Sequence, residues 1–291
     1  MYYIVYGLLY LVSLLPFRVL YFISDIFYYL LYYVIGYRKD VVMNNLKIAF
    51  PEKTDAERLK IAKKFYSQFV DNFIEMLKLL SISKKTLEKR FKVNIEVLND
   101  LKGKVDKVQV VTGHYFNWEF ANSAVGHTSL FPFIVVYMPV KNKVFDKLVY
   151  KLRSRFGTIL VPATAFRTNF HQYIKDEYAL ILVADQNAGH VDNAYWLPFF
   201  GKMAPFVRGP ERGAIKNNTA VIYAHFYPYK RGYYTAKLEL ITTTPREYAE
   251  GELTKILVKK VEDSVKEIPS SYLWTHKRWK WEFDPTKHKA L

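Results

Sequence analysis

The sequence predicts an α/β fold, a mainly parallel sheet flanked by helices, preceded by an N-terminal helical segment that enters a membrane. Three observations predict it. From Val108 onward, strand-like apolar runs alternate with polar, helix-compatible stretches, and no turn-rich meander intervenes. No Gly/Pro/Ser linker divides positions 38–291, so this stretch reads as one domain. The first 37 residues belong to a different solvent class, with only Arg18 and Asp25 interrupting an apolar and aromatic run.

In that first segment, Met1 to Leu15 falls short of the roughly 20 residues a spanning helix needs. Pro16 to Tyr37 is long enough but carries Asp25. Neither a basic leader nor a small-residue cleavage site marks a secretory signal. The expectation is a membrane anchor over 1–37, as one tilted span or a re-entrant pair. The alternative is an amphipathic pair packed on the body of the protein. Arg38-Lys39 and the basic remainder then stay on the cytoplasmic side.

Thr54-Asp55-Ala56-Glu57 has the capping-box pattern, and Ile61, Phe65, Phe69, Phe73 and Leu77 continue it as a core-facing helical stripe ending near Leu80. Lys84, Lys85, Lys89, Arg90 and Lys92 form a basic stretch, a solvated face or a contact for anionic headgroups. The expected strands are Val108–Thr112, Phe133–Tyr137, Ile159–Val161, Ala179–Ala184, Val221–Phe226 and Thr235–Ile241.

The chain has 291 residues, no cysteine and a formal charge of +16. Lack of cysteine excludes disulfides, thiolate metal sites and cysteine nucleophiles. The charge points to a negative partner, and 24 tyrosines favour a lipid surface over nucleic acid. Serine-elbow, P-loop, dinucleotide-binding and zincin motifs are all missing from the sequence.

His114-Tyr115-Phe116-Asn117-Trp118-Glu119 brings an imidazole and a carboxylate into one turn. Chance gives roughly 0.65 such spacings in a chain of this composition, and His171/Asp176 is a second instance. Position separates them. Ligands bind beyond the carboxyl ends of parallel strands, where His114 lies; His171 leads into a strand, at the opposite edge. Gly113 allows a sharp turn. The helix beginning near Asn117 should hold the imidazole neutral, as a general base needs. Arg153 and Arg155 can stabilise an oxyanion or hold phosphate. Asp185-Gln186-Asn187 closes the most apolar strand with polar groups, and Leu197–Gly201 with Arg208–Gly213 would suit an acyl chain beside an anionic head.

Together these segments resemble the bacterial late acyltransferases of lipid A biosynthesis, the lauroyl/myristoyl transferase family. The residues that carry the resemblance follow the N-terminal segment in order: Asn44-Asn45-Leu46 through Pro51-Glu52, Gly113-His114 to Glu119, Arg153-x-Arg155, Asp185-Gln186, Pro198–Gly201, and Pro269-x-x-Tyr272-x-Trp274-x-His276-x-Arg278-Trp279. The resemblance implies a glycerolipid-acyltransferase-like fold. It also implies transfer of a fatty acyl group from acyl carrier protein to a hydroxyl of a lipid A precursor at the inner membrane, without metal or organic cofactor. His114 would be the base, with Glu119 orienting it. Arg155, or Arg153 beside it, would serve the oxyanion or a phosphate, and Asn117, Asp185, Gln186 and Arg208 would contact substrate. The same framework resembles transferases acting on amine-bearing or glycerol lipids. A non-enzymatic basic protein at membranes or nucleic acid would explain the aromatic–basic ending Tyr272–Trp281 but not the His114 turn.

Overall fold

The computed structural model describes residues 1–174 and 176–291, apart from the side chains at positions 167 and 169. Helices α1 (Tyr2–Leu14) and α2 (Phe17–Tyr29, continued by a π-turn over Leu30–Ile35) open the chain. They are followed by α3 (Lys39–Ala49), α4 (Asp55–Lys78) and α5 (Lys84–Arg90). The body then runs β1 (Phe91–Val93), α6 (Glu96–Asn99), β2 (Lys107–Thr112), α7 (Trp118–Thr128), β3 (Phe133–Tyr137), α8 (Lys143–Ser154), β4 (Ile159–Pro162), α9 (Ala163–Asn169) and β5 (Tyr178–Val183). It closes with β6 (Tyr195–Phe199), β7 (Lys202–Phe206), α10 (Gly209–Asn217), β8 (Ala220–Lys230), β9 (Tyr233–Thr242), α11 (Glu252–Glu267) and β10 (Lys289–Ala290).

Among the described residues, the main sheet has seven strands in the order β1-β9-β8-β2-β5-β3-β4. Every neighbouring pair is parallel except the β8–β9 hairpin. The six expected strands all form, each end within four residues of its expected place. β2 lies between β8 and β5, and its side chains from Val108 to Thr112 are buried. Burial on both faces is why these strands read as continuous apolar runs rather than alternating ones.

The sequence gives less warning of the second sheet. β6 and β7 pair antiparallel through a two-residue turn, Phe200-Gly201, with φ of 52° and 74°. Positive φ at both central residues matches the twist of a hairpin. Leu197–Gly201 is therefore a hairpin tip, with the Phe200 N–H bonded to Glu262 at 2.8 Å, and not the wall of an acyl site.

Helix α4 begins with the expected capping box at Thr54 and Glu57. Its apolar stripe differs from expectation at one end: Phe65 is buried but Phe73 is 45 % exposed. Successive steps of four residues rotate by about 40° around a helix. Phe73 has thus drifted off the core face, where Val70, Ile74 and Glu75 sit instead.

The two N-terminal helices dock on α4 along one side and are bare on the other. Leu20 packs against Val70 and Ile74. Lys78 donates to the carbonyls of Ser13 (2.7 Å) and Leu15 (2.9 Å), placing a cation on the carboxyl end of α1. Asp25, the one acid in the apolar run, pairs with Arg231 in the β8–β9 turn at 2.6 Å; the same guanidinium binds Asp71 at 2.8 Å. From the basic stretch, Arg90 lies 3.3 Å over the Phe17 ring. Phe17–Ile35 is long and apolar enough to cross a membrane, and Ile4, Leu8, Leu11, Phe22, Val34 and Ile35 are all exposed.

Candidate active site

His114 stands two residues past β2, and Asp185 stands two residues past β5. The parallel register pairs Thr112 with Val183, so the two loops leave the sheet side by side. The His114 ring Nδ1 lies 2.7 Å from Asp185 Oδ1, and the His114 backbone N–H donates to Oδ2 at 3.2 Å. Nδ1 carries the proton in this arrangement, because a carboxylate only accepts, which leaves Nε2 as the free lone pair. Burial pulls the imidazole toward neutrality, but the Asp185 charge and hydrogen bond outweigh it, and the pKa is raised. The amino end of α7 alone would have lowered it. Burial opposes the charge on Asp185 too, yet the imidazole, the backbone N–H and the Tyr272 hydroxyl hold it down at about 2.

Glu119 does not hold the imidazole. It is buried in the first turn of α7 and is gripped by Arg153, Nε at 3.0 Å and Nη2 at 2.5 Å, with the Trp118 indole N–H at 3.1 Å. A fork-like guanidinium is a stronger partner for a carboxylate than a neutral ring, which explains the exchange. Arg153 lies in the last turn of α8 and borders the same cavity as His114. Arg155 does not: its Nη1 donates to the Leu79 carbonyl and its guanidinium packs on Phe156.

Asn117 does not face substrate either. Its Oδ1 caps α7, accepting from the N–H groups of Glu119 and Phe120 at 3.0 Å each. Its Nδ2 donates to Glu75 at 2.7 Å. Glu75, on α4, also accepts from Tyr21 (2.7 Å) and Tyr234 (2.6 Å). Burial lifts this carboxyl to about 7, while the three donors favour the ionised form. Nothing in the sequence pattern announces Glu75; a charge inside an apolar helical face is the one visible signal.

The backbone turns tightly at Gly113, with the Tyr115 N–H donating to its carbonyl at 2.9 Å, and the glycine also makes room for a ring. The Tyr115 ring folds back so that a Cβ at Gly113 would lie 2.8 Å from it. The segment Ser271–Leu273 runs alongside: the Phe116 N–H donates to Ser271 O, and the Leu273 N–H to His114 O, each at 3.0 Å. Asn45 holds the next residues, donating to the carbonyls of Trp274 and His276 at 2.7 Å. Of the remaining expected contacts, Gln186 is half-buried beside Asp185 and outside the cavity wall. Arg208 lies at the start of α10, over the Tyr195 ring and away from the cavity. His171 is exposed on the turn leading toward β5.

The cavity itself is about 510 Å³. Its polar rim is His114, Trp118, Glu119, Arg153, Asn72 and Asn122. Behind the rim it runs between α7 and the sheet, over Val110, Val135, Ile181 and Ala236 to Leu98 and Leu238. An apolar slot of this size with a few polar groups at one end is what a long hydrocarbon with a reactive head requires. Among the described residues, no three His, Asp or Glu side chains gather as a metal site.

No curated protein matches the chain. Among solved structures, it is similar to the 1-acyl-sn-glycerophosphate acyltransferase PlsC from Thermotoga maritima. That match has 14 % identity and a TM-score of 0.41, and covers 87 % of this chain and 99 % of that one. A family model described as bacterial lipid A biosynthesis acyltransferase matches residues 1–281, nearly the whole chain, and the protein belongs to that family.

Proposed function

We propose that the protein transfers a fatty acyl group from an acyl carrier protein thioester to a hydroxyl of a lipid A precursor at the cytoplasmic face of the inner membrane. The observation that carries this reading is the placement of His114, with its free Nε2, at the polar end of the apolar cavity. The acyl chain fills the slot and brings the thioester carbonyl to the rim. His114 Nε2 takes the proton of the acceptor hydroxyl as its oxygen attacks the carbonyl carbon. The imidazolium formed is balanced by Asp185, which also fixes the tautomer. Collapse of the tetrahedral intermediate breaks the C–S bond, and the leaving thiolate recovers the proton from His114. No acyl-enzyme is formed. The net charge of +16 suits both an acidic carrier protein and a phosphorylated lipid headgroup.

Purified protein in anionic vesicles, given acyl carrier protein thioester and lipid A precursor, should release the carrier thiol and acylate the lipid. His114→Ala should lower turnover by about 10²–10⁴-fold. Wild-type turnover by that variant would reject the base. Mass spectra of lipids from cells with and without the protein identify the acceptor: unchanged lipid A beside a changed amine-bearing or glycerol lipid would reject the lipid A assignment.

A further inference from the structure

Asn72 is fully buried on α4, borders the cavity, and has no hydrogen-bond partner at either Nδ2 or Oδ1. A buried carboxamide left without partners is costly, and native proteins rarely keep one without a use. Its position is defined by its neighbours one turn away. Phe69 packs on Phe116 with ring centroids 6.1 Å apart, and Glu75 holds Asn117. Residues three apart share a helix face, so Asn72 looks toward the Phe116–Trp118 stretch of the reactive turn.

Most other polar groups on the rim hold a protein partner, and the two that stay open, His114 Nε2 and the buried Asn122 Oδ1, can only accept. His114 is bound to Asp185, Glu119 to Arg153 and Trp118, and the Asn122 amide donates to the Arg153 carbonyl at 3.0 Å. Thr112 donates to Ala224 O at 2.7 Å. Among the described side chains lining the cavity, Asn72 holds the one buried nitrogen with no acceptor. Exchanging the two carboxamide atoms by a ring-like flip does not alter this, because both lack partners.

We infer that Asn72 donates a hydrogen bond to the acyl carbonyl oxygen as it becomes an oxyanion. This rests on the acyl-transfer reading above. As the acceptor oxygen bonds to the carbonyl carbon, the C=O π pair moves onto that oxygen; it returns when the C–S bond breaks. A donor in a water-poor slot stabilises the developing charge far more than it would in water. The missing partner in the free protein is the substrate itself.

The test pairs kinetics with stability in Asn72→Ala, Asn72→Leu and Asn72→Gln variants of the full chain in vesicles. The expected result is a fall in kcat of about 10²–10³-fold for Ala and Leu with KM little changed. The thermal midpoint of the Leu variant should be unchanged or higher, because no protein hydrogen bond is lost, and Gln should restore part of kcat. A phosphonate mimic of the tetrahedral intermediate should lose affinity in the Leu variant while a ketone analogue of the donor does not. Wild-type kcat in the Leu variant, or a loss of kcat that tracks a lowered midpoint, overturns the assignment. If the wild-type protein releases no thiol from any acyl thioester and binds neither analogue, the acyl-transfer reading fails and takes this role with it.

Discussion

The His114 imidazole and the Asp185 carboxylate meet because two adjacent parallel strands end in register, each followed by the same number of residues. Their geometry fixes a pH dependence. The proposed mechanism needs a neutral His114, and the Asp185 partnership raises its pKa above the usual 6.5. The ascending limb of kcat/KM against pH should therefore lie above 6.5 in the wild type. Asp185→Asn removes the charge and leaves burial dominant, so the limb should move to lower pH while kcat falls. An ascending limb that stays in place in Asp185→Asn would disconnect the two residues. Stability follows the opposite sense: the raised imidazole pKa contributes stability below 6.5 that is lost as pH rises through it.

Arg153 and Glu119 form a buried ion pair linking α8 to α7. Arg153→Leu leaves the Glu119 charge unpaired and should cost about 3–5 kcal/mol in a denaturation experiment. The double variant Arg153→Leu/Glu119→Leu should recover much of that, since both charges are then gone. A double variant as unstable as the single one would show that the pair is held by packing alone.

Glu75 accepts from three donors on three different elements. Glu75→Gln puts an N–H where an acceptor is needed and should cost about 1–3 kcal/mol. Its effect should also reach catalysis, because Asn117 loses its support at the base of α7. A lowered kcat in Glu75→Gln at a temperature where the protein stays folded is the expected outcome; unchanged kcat would confine Glu75 to stability.

His225 is buried, with its pKa pushed down by burial to about 4. The unfolded chain binds a proton there near 6.5, so the folded state loses stability as pH drops from 6.5 toward 4. His225→Phe should flatten that acid limb in thermal melts run from pH 7 to 4. An identical slope in both proteins would assign it to other groups.

Leu8 and Leu11 are both more than 60 % exposed on α1. Leu8→Asp/Leu11→Asp should abolish vesicle binding without lowering the thermal midpoint in detergent. Retained binding would show that basic side chains elsewhere suffice.

The strands were legible because burial on both faces leaves runs such as Val108–Val111 without alternation. The β6–β7 hairpin was hidden, since Phe200 adopts a conformation usually left to Gly or Asn. At the site, the loop positions of His114 and Asp185 could be read from the chain, but their contact could not. It depends on β2 and β5 being neighbours, whereas β3 and β4 lie between them in sequence. Arg153 and Arg155 are alike in sequence, and only the end of α8 decides which one turns toward Glu119. Asn117 and Asp185 looked free to contact substrate because their partners, Glu75 and His114, lie 42 and 71 residues away.

Asp25 finds its guanidinium 206 residues further along the chain, in the turn between β8 and β9. During synthesis the apolar helices therefore emerge long before the arginine that fixes them exists. In the membrane reading proposed above, a bilayer shelters them in the interval. On the proposed function the membrane is then a folding partner for this chain before it is a workplace, and the last hairpin of the sheet locks the first helices in place.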